Sequence, residues 1–524
     1  MKKTALFILF ILITSVLHAC SNPEKVMPLA YQEHRNYYQI LVRSFADSNG
    51  DGIGDFTGIK ENLDYFVDLG VNGLWLLPIH PSGSYHGYDI EDYYAVNPEY
   101  GTMEEFEALV EAALEKDIVI MIDFVVNHSS DNHPWFQAFL RNEAPYDEFY
   151  RRIPSSNEMR LNRGSWGQSV WHATGDGYFY AGYFGGYMPD LNWSNPAVVE
   201  EVINIAEFWA EKGVQGFRID AALHIFGLGE MPAGFPLIDE TLFQLEYMKF
   251  RVQENHPDAF FIGEVWDSAS IYQLFHGPLD SVFHFEYGNE VIQAINQGFS
   301  RTYVDRVVRW HDNANAQHEN AIQAPFLRNH DQNRIASGSE PGYPNLGPDL
   351  QKLRLAAEML LTVPGIPFIY YGEEIGMRGE RSFRAPTWDS TTRLPFLWPD
   401  ERKPTWVNDR FGYVDQFNIG VPDAITQQND PDSLYSTYRT LLHLRLDYPV
   451  LRVGSIRAFE DNHPGIQGFY REKEGYKSLL VIHNLTNESL QVPGIDRKGT
   501  LLYGPLEQDH IPPQTTVIIE LESE

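Results

Sequence analysis

The chain has 524 residues, 43% of them hydrophobic and 14% aromatic, and a formal net charge of −33. That length exceeds one ordinary domain and suits a large fold with accessory parts, while the charge argues against nucleic acid or an anionic membrane surface as a partner. A single cysteine, Cys20, excludes any disulfide within the chain.

At the start of the chain, Lys2 and Lys3 precede an apolar run from Ala5 to Val16, which Leu17-His18-Ala19-Cys20 closes. The run is short for a membrane span and reads as an export signal. A cysteine at this place resembles the bacterial lipoprotein signal, although His18 departs from the small residue usual there. The resemblance implies a signal over 1–20, lipidation of Cys20, and a tether over 21–35. The protein is then expected to be exported and held by acyl chains on the outward face of a bacterial membrane, or else secreted.

Beyond the tether, the pattern predicts a strand over 38–42. Asp47-Ser-Asn49-Gly-Asp51-Gly-Ile53-Gly-Asp55 follows, with oxygens at alternate positions and glycine at the sixth. This is Ca²⁺-loop chemistry, although the twelfth position is Gly58 rather than a bidentate glutamate. The expected ligands are the Asp47, Asn49, Asp51 and Asp55 side chains and the Ile53 carbonyl. A helix over 58–69, a strand over 73–77, a helix over 103–116 and a strand over 118–122 come next. The stretch 129–192, rich in Gly, Tyr, Trp and Asn, is too long for an idle loop. A helix over 196–212 resumes the alternation. Strands are predicted over 216–219, 259–263, 282–285, 324–327 and 366–370, with a helix over 353–361. After a second excursion over 372–430 and a helix over 434–446, alternating strands such as 478–483 and 516–521 suggest an antiparallel β-sandwich.

Four predicted strands end in polar side chains. They lead into Asp123-Phe-Val-Val-Asn127-His128, Arg218-Ile-Asp220, Glu264-Val-Trp266, and Arg328-Asn329-His330-Asp331. A near-continuous apolar run is the signature of a parallel strand buried on both faces. Carboxylates just past such strands gather at the C-terminal face of a (β/α)₈ barrel, where active sites form.

These segments resemble, in order, the signature regions of the α-amylase family of retaining glycoside hydrolases, family 13. Met188-Pro-Asp190-Leu-Asn192 resembles a fifth, lying between the oligo-1,6-glucosidase and neopullulanase patterns. The likeness runs from about Tyr37 to the C-terminus. It implies an α/β fold: a (β/α)₈ TIM barrel over 36–128 and 193–450, a small domain inserted after strand 3 over 129–192, and a C-terminal antiparallel β-sandwich over 451–524. By this resemblance Asp220 is the nucleophile, Glu264 the general acid/base and Asp331 the stabilising carboxylate. Arg218, His128 and His330 line the sugar site, and His86-Gly-Tyr88 supplies the tyrosine that stacks on the sugar. A second structural Ca²⁺ is implied at Asn127, Asp190 and the His224 carbonyl.

Such chemistry needs one carboxylate to attack the anomeric carbon and one carboxylic acid to protonate the leaving oxygen. The resemblance implies an α-glucan substrate, and the protein is expected to act as a monomer. Exo-acting relatives of this type place Asp three residues before the stacking tyrosine. Tyr85 stands there, which favours an open cleft and internal cleavage of α-1,4 bonds. Ala221 follows the nucleophile where α-1,6 enzymes often have Val, and Leu223 stands where many amylases have Lys. An α-glucosidase, a cyclomaltodextrinase or neopullulanase-like hydrolase, a transglycosylase, and a non-hydrolytic surface glucan-binding lipoprotein are the alternatives.

Overall fold

A computed structural model of the protein describes residues 35–226, 238–319, 321–339, 344–382, 388–461 and 463–522. Cys20, the signal and nearly all of the tether therefore lie outside the described residues. Eight parallel strands form one sheet: β1 (Tyr37–Ile40), β2 (Gly73–Leu76), β3 (Val119–Phe124), β7 (Gly216–Ile219), β8 (Phe260–Gly263), β9 (Ser281–His284), β10 (Ile322–Pro325) and β11 (Phe368–Tyr370). Their order is β10-β9-β8-β7-β3-β2-β1-β11. A parallel bridge from Phe326 to Phe368 joins the two edges, so the sheet closes on itself. Helices between the strands cover its outer surface, as expected for a TIM barrel.

Every β2, β3, β7, β8 and β9 residue is buried, which is why these segments read as apolar runs rather than alternating ones. Inside the barrel, Trp75 stacks on Phe283 with ring centroids 5.1 Å apart and meets Phe368 edge-on at 5.9 Å. The helix predicted over 58–69 is two helices, Phe56–Glu61 and Leu63–Leu69, meeting at Asn62. Its start moves upstream because the Asp55 side chain caps it, accepting from the Gly58 N–H. The last strand is shorter than expected, since Ile366 and Pro367 enter the ring only through single backbone bonds, to Gln323 and Tyr37.

After β3 the chain leaves the barrel. It forms a helix at Pro134–Leu140 and a three-stranded antiparallel sheet of β4 (Arg152–Pro154), β5 (Trp171–Ala173) and β6 (Tyr178–Ala181), in the order β4-β6-β5. This insert carries a small core of its own around Val170, Trp171, Ala181 and Tyr183. The C-terminal part is a five-stranded antiparallel sheet, β12 (Ser455–Phe459), β13 (Ile466–Glu472), β14 (Leu479–Asn484), β18 (Thr515–Leu521) and β16 (Gly499–Tyr503), in that order. A two-stranded sheet, β15 (Leu490–Gln491) with β17 (His510–Ile511), backs it. Alternation along β14 explains the two layers. Leu479 and Val481 join the main core beside the barrel, whereas Leu480 and Ile482 pack with Val492, Ile495 and Ile511 beneath the small sheet.

Candidate active site

Strand register positions the acidic side chains. Asp123 on β3 pairs with Arg218 on β7, and Ile219 on β7 pairs with Gly263 on β8. Asp220 and Glu264 are thus the next residues on two neighbouring strands. The Glu264 N–H donates to the Ile219 carbonyl and the Ala222 N–H to the Glu264 carbonyl, which fixes that alignment. Arg218 and Asp220, two residues apart on one strand, point the same way. Ala221 then takes a left-handed conformation, φ 48°, and turns the chain aside just past Asp220.

One guanidinium organises the group. Nη1 of Arg218 lies 2.6 Å from Asp123 Oδ1 and 2.6 Å from Asp220 Oδ1, and Nη2 lies 2.8 Å from Glu264 Oε1. Arg218 itself is buried, with its guanidinium carbon 5.2 Å from the centroid of the Trp75 ring. Glu264 also accepts from the Trp266 indole N–H at 2.9 Å and the Ala221 N–H at 3.1 Å. Burial pushes the Asp123 carboxyl up to about 6 and those of Asp220 and Glu264 each up to about 7, with Arg218 pulling the other way in all three. Carboxyls this close titrate as a unit. Three around a single guanidinium keep a proton near neutral pH.

Asp331 completes the acidic set from the loop after β10. Its Oδ1 receives Arg393 Nη2 at 2.9 Å, and its Oδ2 lies 3.2 Å from His330 Nε2. His330 Nδ1 is 2.7 Å from the Gln39 amide nitrogen, and its Nε2 is 2.6 Å from the Tyr88 hydroxyl. With Gln39 as donor, His330 carries its proton on Nε2. Tyr88 in turn donates to Asp123 Oδ2 at 3.1 Å and stacks on the His330 ring with centroids 5.8 Å apart. Burial drives His330 well below the usual histidine range and His86 and His128 down to about 4, so all three are neutral, hydrogen-bonding rings at working pH.

A cavity of about 450 Å³ opens over these groups. His86, Tyr88, His128, Asp220, His224, Glu264 and Asp331 all line it, and Arg218 and His330 lie directly beneath, so the expected acids and sugar-site residues come together. Several lining side chains were not anticipated. Asp389 and Arg393 pair at 3.0 Å on one wall, where the Tyr85 hydroxyl donates to Asp389. Burial works to raise the Asp389 carboxyl, but Arg393 and Tyr85 outweigh it and hold it below the usual range. Apolar side chains also line the cavity: Trp166, Phe184, Met188, Leu223 and Trp266. Trp166 comes from the inserted domain and is 70% exposed.

The family model for the alpha-amylase catalytic domain matches residues 39–454. The chain belongs to the alpha-amylase family. It is 37% identical over 492 residues to Alpha-amylase 3 of Dictyoglomus thermophilum, covering 92% of this chain and 90% of that one. A 4-alpha-glucanotransferase of Thermotoga maritima is 29% identical over 466 residues, covering 88% and 98%. Among solved structures, the alpha-amylase from H. orenii superposes with a TM-score of 0.80 at 37% identity, covering 94% of this chain and 100% of that one. This alpha-amylase family member is a glycoside hydrolase by type, and the family's activity on α-glucans spans hydrolysis and glycosyl transfer.

The residues expected to hold calcium fall in two places. In the 47–55 loop, Asp47 accepts from the N–H groups of Asn49, Gly50 and Gly52, Asn49 from Asp51, Asp51 from Ile53, and Asp55 from Ser48 and Gly58. Asp47 Oδ1 and Asp55 Oδ1 each already accept two hydrogen bonds, but Asp47 Oδ2, Asp55 Oδ2 and the Asp51 carboxylate keep lone pairs. With the Asn49 amide oxygen and the Ile53 carbonyl they supply the hard oxygens that Ca²⁺ takes. At the second place, Asn127 Nδ2 lies 3.4 Å from Asp190 Oδ1, while Asp190 Oδ2 accepts from the Tyr183 N–H at 3.0 Å. The His224 ring stacks on Tyr183 with centroids 4.4 Å apart. Asn127 Oδ1 is buried without a hydrogen-bond partner, an oxygen that suits a cation. Among the described residues no three His, Cys, Asp or Glu side chains are placed to hold a metal ion by themselves, so either site would lean on amide and carbonyl oxygens as well.

Proposed function

We propose that this enzyme hydrolyses internal α-1,4 bonds of starch and maltooligosaccharides with retention of configuration. The observation that supports it is the single guanidinium of Arg218 holding Asp220 and Glu264 together at the cavity that Asp331 also enters. Asp220 attacks the anomeric carbon as the bond to the leaving oxygen breaks, and the Glu264 proton passes to that oxygen. The ionised Glu264 then takes a proton from water, whose oxygen replaces Asp220 at the anomeric carbon and frees its carboxylate. Arg218 favours the anionic form of Asp220. Asp331 meets the positive charge that develops on the sugar, binding the transition state more tightly than the ground state. His86 and His128, both neutral, hydrogen-bond sugar hydroxyls, and Tyr88, held from beneath by His330, covers a sugar face.

The cavity walls support a second reading. Trp266, whose indole N–H donates to Glu264, stands beside the group that protonates the leaving oxygen, and Leu223, Phe184 and Trp166 line the same cavity. An apolar, aromatic wall holds a sugar acceptor better than it holds water, which favours transglycosylation beside hydrolysis. A time course of products from starch, maltoheptaose and pullulan tests both readings. Intermediate oligosaccharides from starch support endo cleavage, and products longer than maltoheptaose support transfer. Glucose alone from the first minutes overturns the endo reading.

Calcium belongs to the same reading, held by Asp47, Asn49, Asp51, Asp55 and the Ile53 carbonyl, and by Asn127, Asp190 and the His224 carbonyl. It would cross-link loops and takes no part in bond cleavage. We read Cys20 as the lipidated residue that holds the enzyme to a membrane. Release of a Cys20→Ala variant into the medium, with the wild type kept in the membrane fraction, tests this.

A further inference from the structure

At the other end of the barrel, where β10 begins, a second cavity of about 290 Å³ lies between the barrel, the helix Tyr303–Gln317 and the start of β12. Beside it are three buried arginines. Arg445, Arg452 and Arg471 are 1%, 8% and 0% exposed, and among the described residues none forms an ion pair with a carboxylate. Backbone carbonyls hold them instead. Arg445 donates to Leu361, Val363 and Gly365, Arg471 to Thr362, Leu451 and Gly454, and Arg452 through Nη1 to Arg445 and Leu446. These carbonyls cluster at helix C-termini, whose partial negative charge offsets part of the arginines' charge.

Arg445 and Arg471 are enclosed by such bonds, but Arg452 is not. It lines the cavity, its Nη1 faces backbone, and its Nε is buried with no partner. Lys473, Asn315 and Gln323 line the same cavity, with the Asn315 amide nitrogen 3.1 Å from Nε2 of His311, which also lines it. One carboxylate, Glu319, stands at the wall. In a chain of net charge −33, a cavity backed by three guanidiniums that only backbone carbonyls and the more distant charge of Asp447 offset is a local reversal of sign.

We infer that this cavity is an anion site, taking a phosphate-type oxyanion against Arg452 and Lys473 with Asn315 and Gln323 as neutral donors. Its volume equals about ten water molecules, room for a hexose-sized body behind the anionic group. The source is either free inorganic phosphate or the phosphoryl group of a sugar phosphate. The site lies apart from the carboxylates of the active site, so its occupancy does not depend on the proposed reaction.

Titration calorimetry of the full chain with inorganic phosphate and with glucose 6-phosphate, at constant ionic strength, tests the inference. Lys473→Glu and Glu319→Gln are the variants, and unchanged maltoheptaose turnover checks that both are folded. Saturable binding is expected in the wild type, weakened about tenfold by Lys473→Glu, roughly 1.4 kcal/mol, and strengthened several-fold by Glu319→Gln. Tighter binding of glucose 6-phosphate than of phosphate assigns the site to a sugar phosphate, and equal binding assigns it to the free ion. Heats that do not saturate, or affinities that neither variant moves, overturn the inference.

Discussion

Glu264→Gln is expected to abolish turnover and yet to stabilise the fold at alkaline pH. Burial lifts the Glu264 carboxyl from its ordinary 4.5 to about 7, so the folded protein holds this proton more tightly than the unfolded chain does. Stability is then lost as pH rises from about 4.5, where the unfolded chain ionises, through about 7, where the folded state must accept the buried charge. At about 1.4 kcal/mol per pH unit, the full loss is about 3 kcal/mol. Glutamine removes that charge. It also replaces one carboxylate oxygen by an N–H₂ group, and the three donors now on Glu264, from Arg218, Trp266 and the Ala221 backbone, cannot all be kept. One lost acceptor costs about 1 kcal/mol.

The balance changes sign with pH. Near pH 5 wild-type Glu264 is almost fully protonated when folded, and the two terms nearly cancel. At pH 9 the variant gains about 2 kcal/mol. For a chain of this length the unfolding entropy is about 1 kcal/mol per kelvin, so the midpoint rises by about 2 °C. Scanning calorimetry of wild type and variant at pH 5, 7 and 9 measures this, with maltoheptaose turnover as the activity check. A midpoint difference that stays constant with pH, or a variant less stable than wild type at pH 9, would refute the reasoning.

Asp220→Asn should lower kcat by more than about 1000-fold, or about 4 kcal/mol of transition-state stabilisation, while maltoheptaose binding by calorimetry persists. Near-normal turnover would remove Asp220 from the nucleophile's role. Trp166→Ala, which strips an exposed ring from the apolar wall, should cut the ratio of transfer to hydrolysis about fivefold, the value of about 1 kcal/mol of stacking, and leave hydrolysis of short substrates unaltered. An unchanged product ratio would place the acceptor elsewhere. Exhaustive chelation should lower the thermal midpoint, and Asp51→Asn, in the 47–55 loop, should shrink that difference. A midpoint that does not move after metal is shown to be removed counts against structural calcium.

The barrel strands were legible because strands buried on both faces must be apolar along their whole length, and Asp220, Glu264 and Asp331 stand out where that runs stop. Asp123 was visible for the same reason, but its role was not. Its pairing with Arg218 is a cross-strand contact between β3 and β7, segments more than 90 residues apart, and only the register reveals it. Gln39 sits inside β1 like a core residue, and its bond to His330 needs β1 and the loop after β10 to meet across the ring. Asp389 and Arg393 carried no signal at all. They lie in the 372–430 excursion, with no apolar run before them and no periodicity around them, and tertiary folding alone brings them to Asp331. The residues that sequence reveals are those attached to the scaffold's repeating pattern. Those that shape the cleft's walls, and so select between water and a second sugar, come from irregular segments whose position is a property of the whole fold.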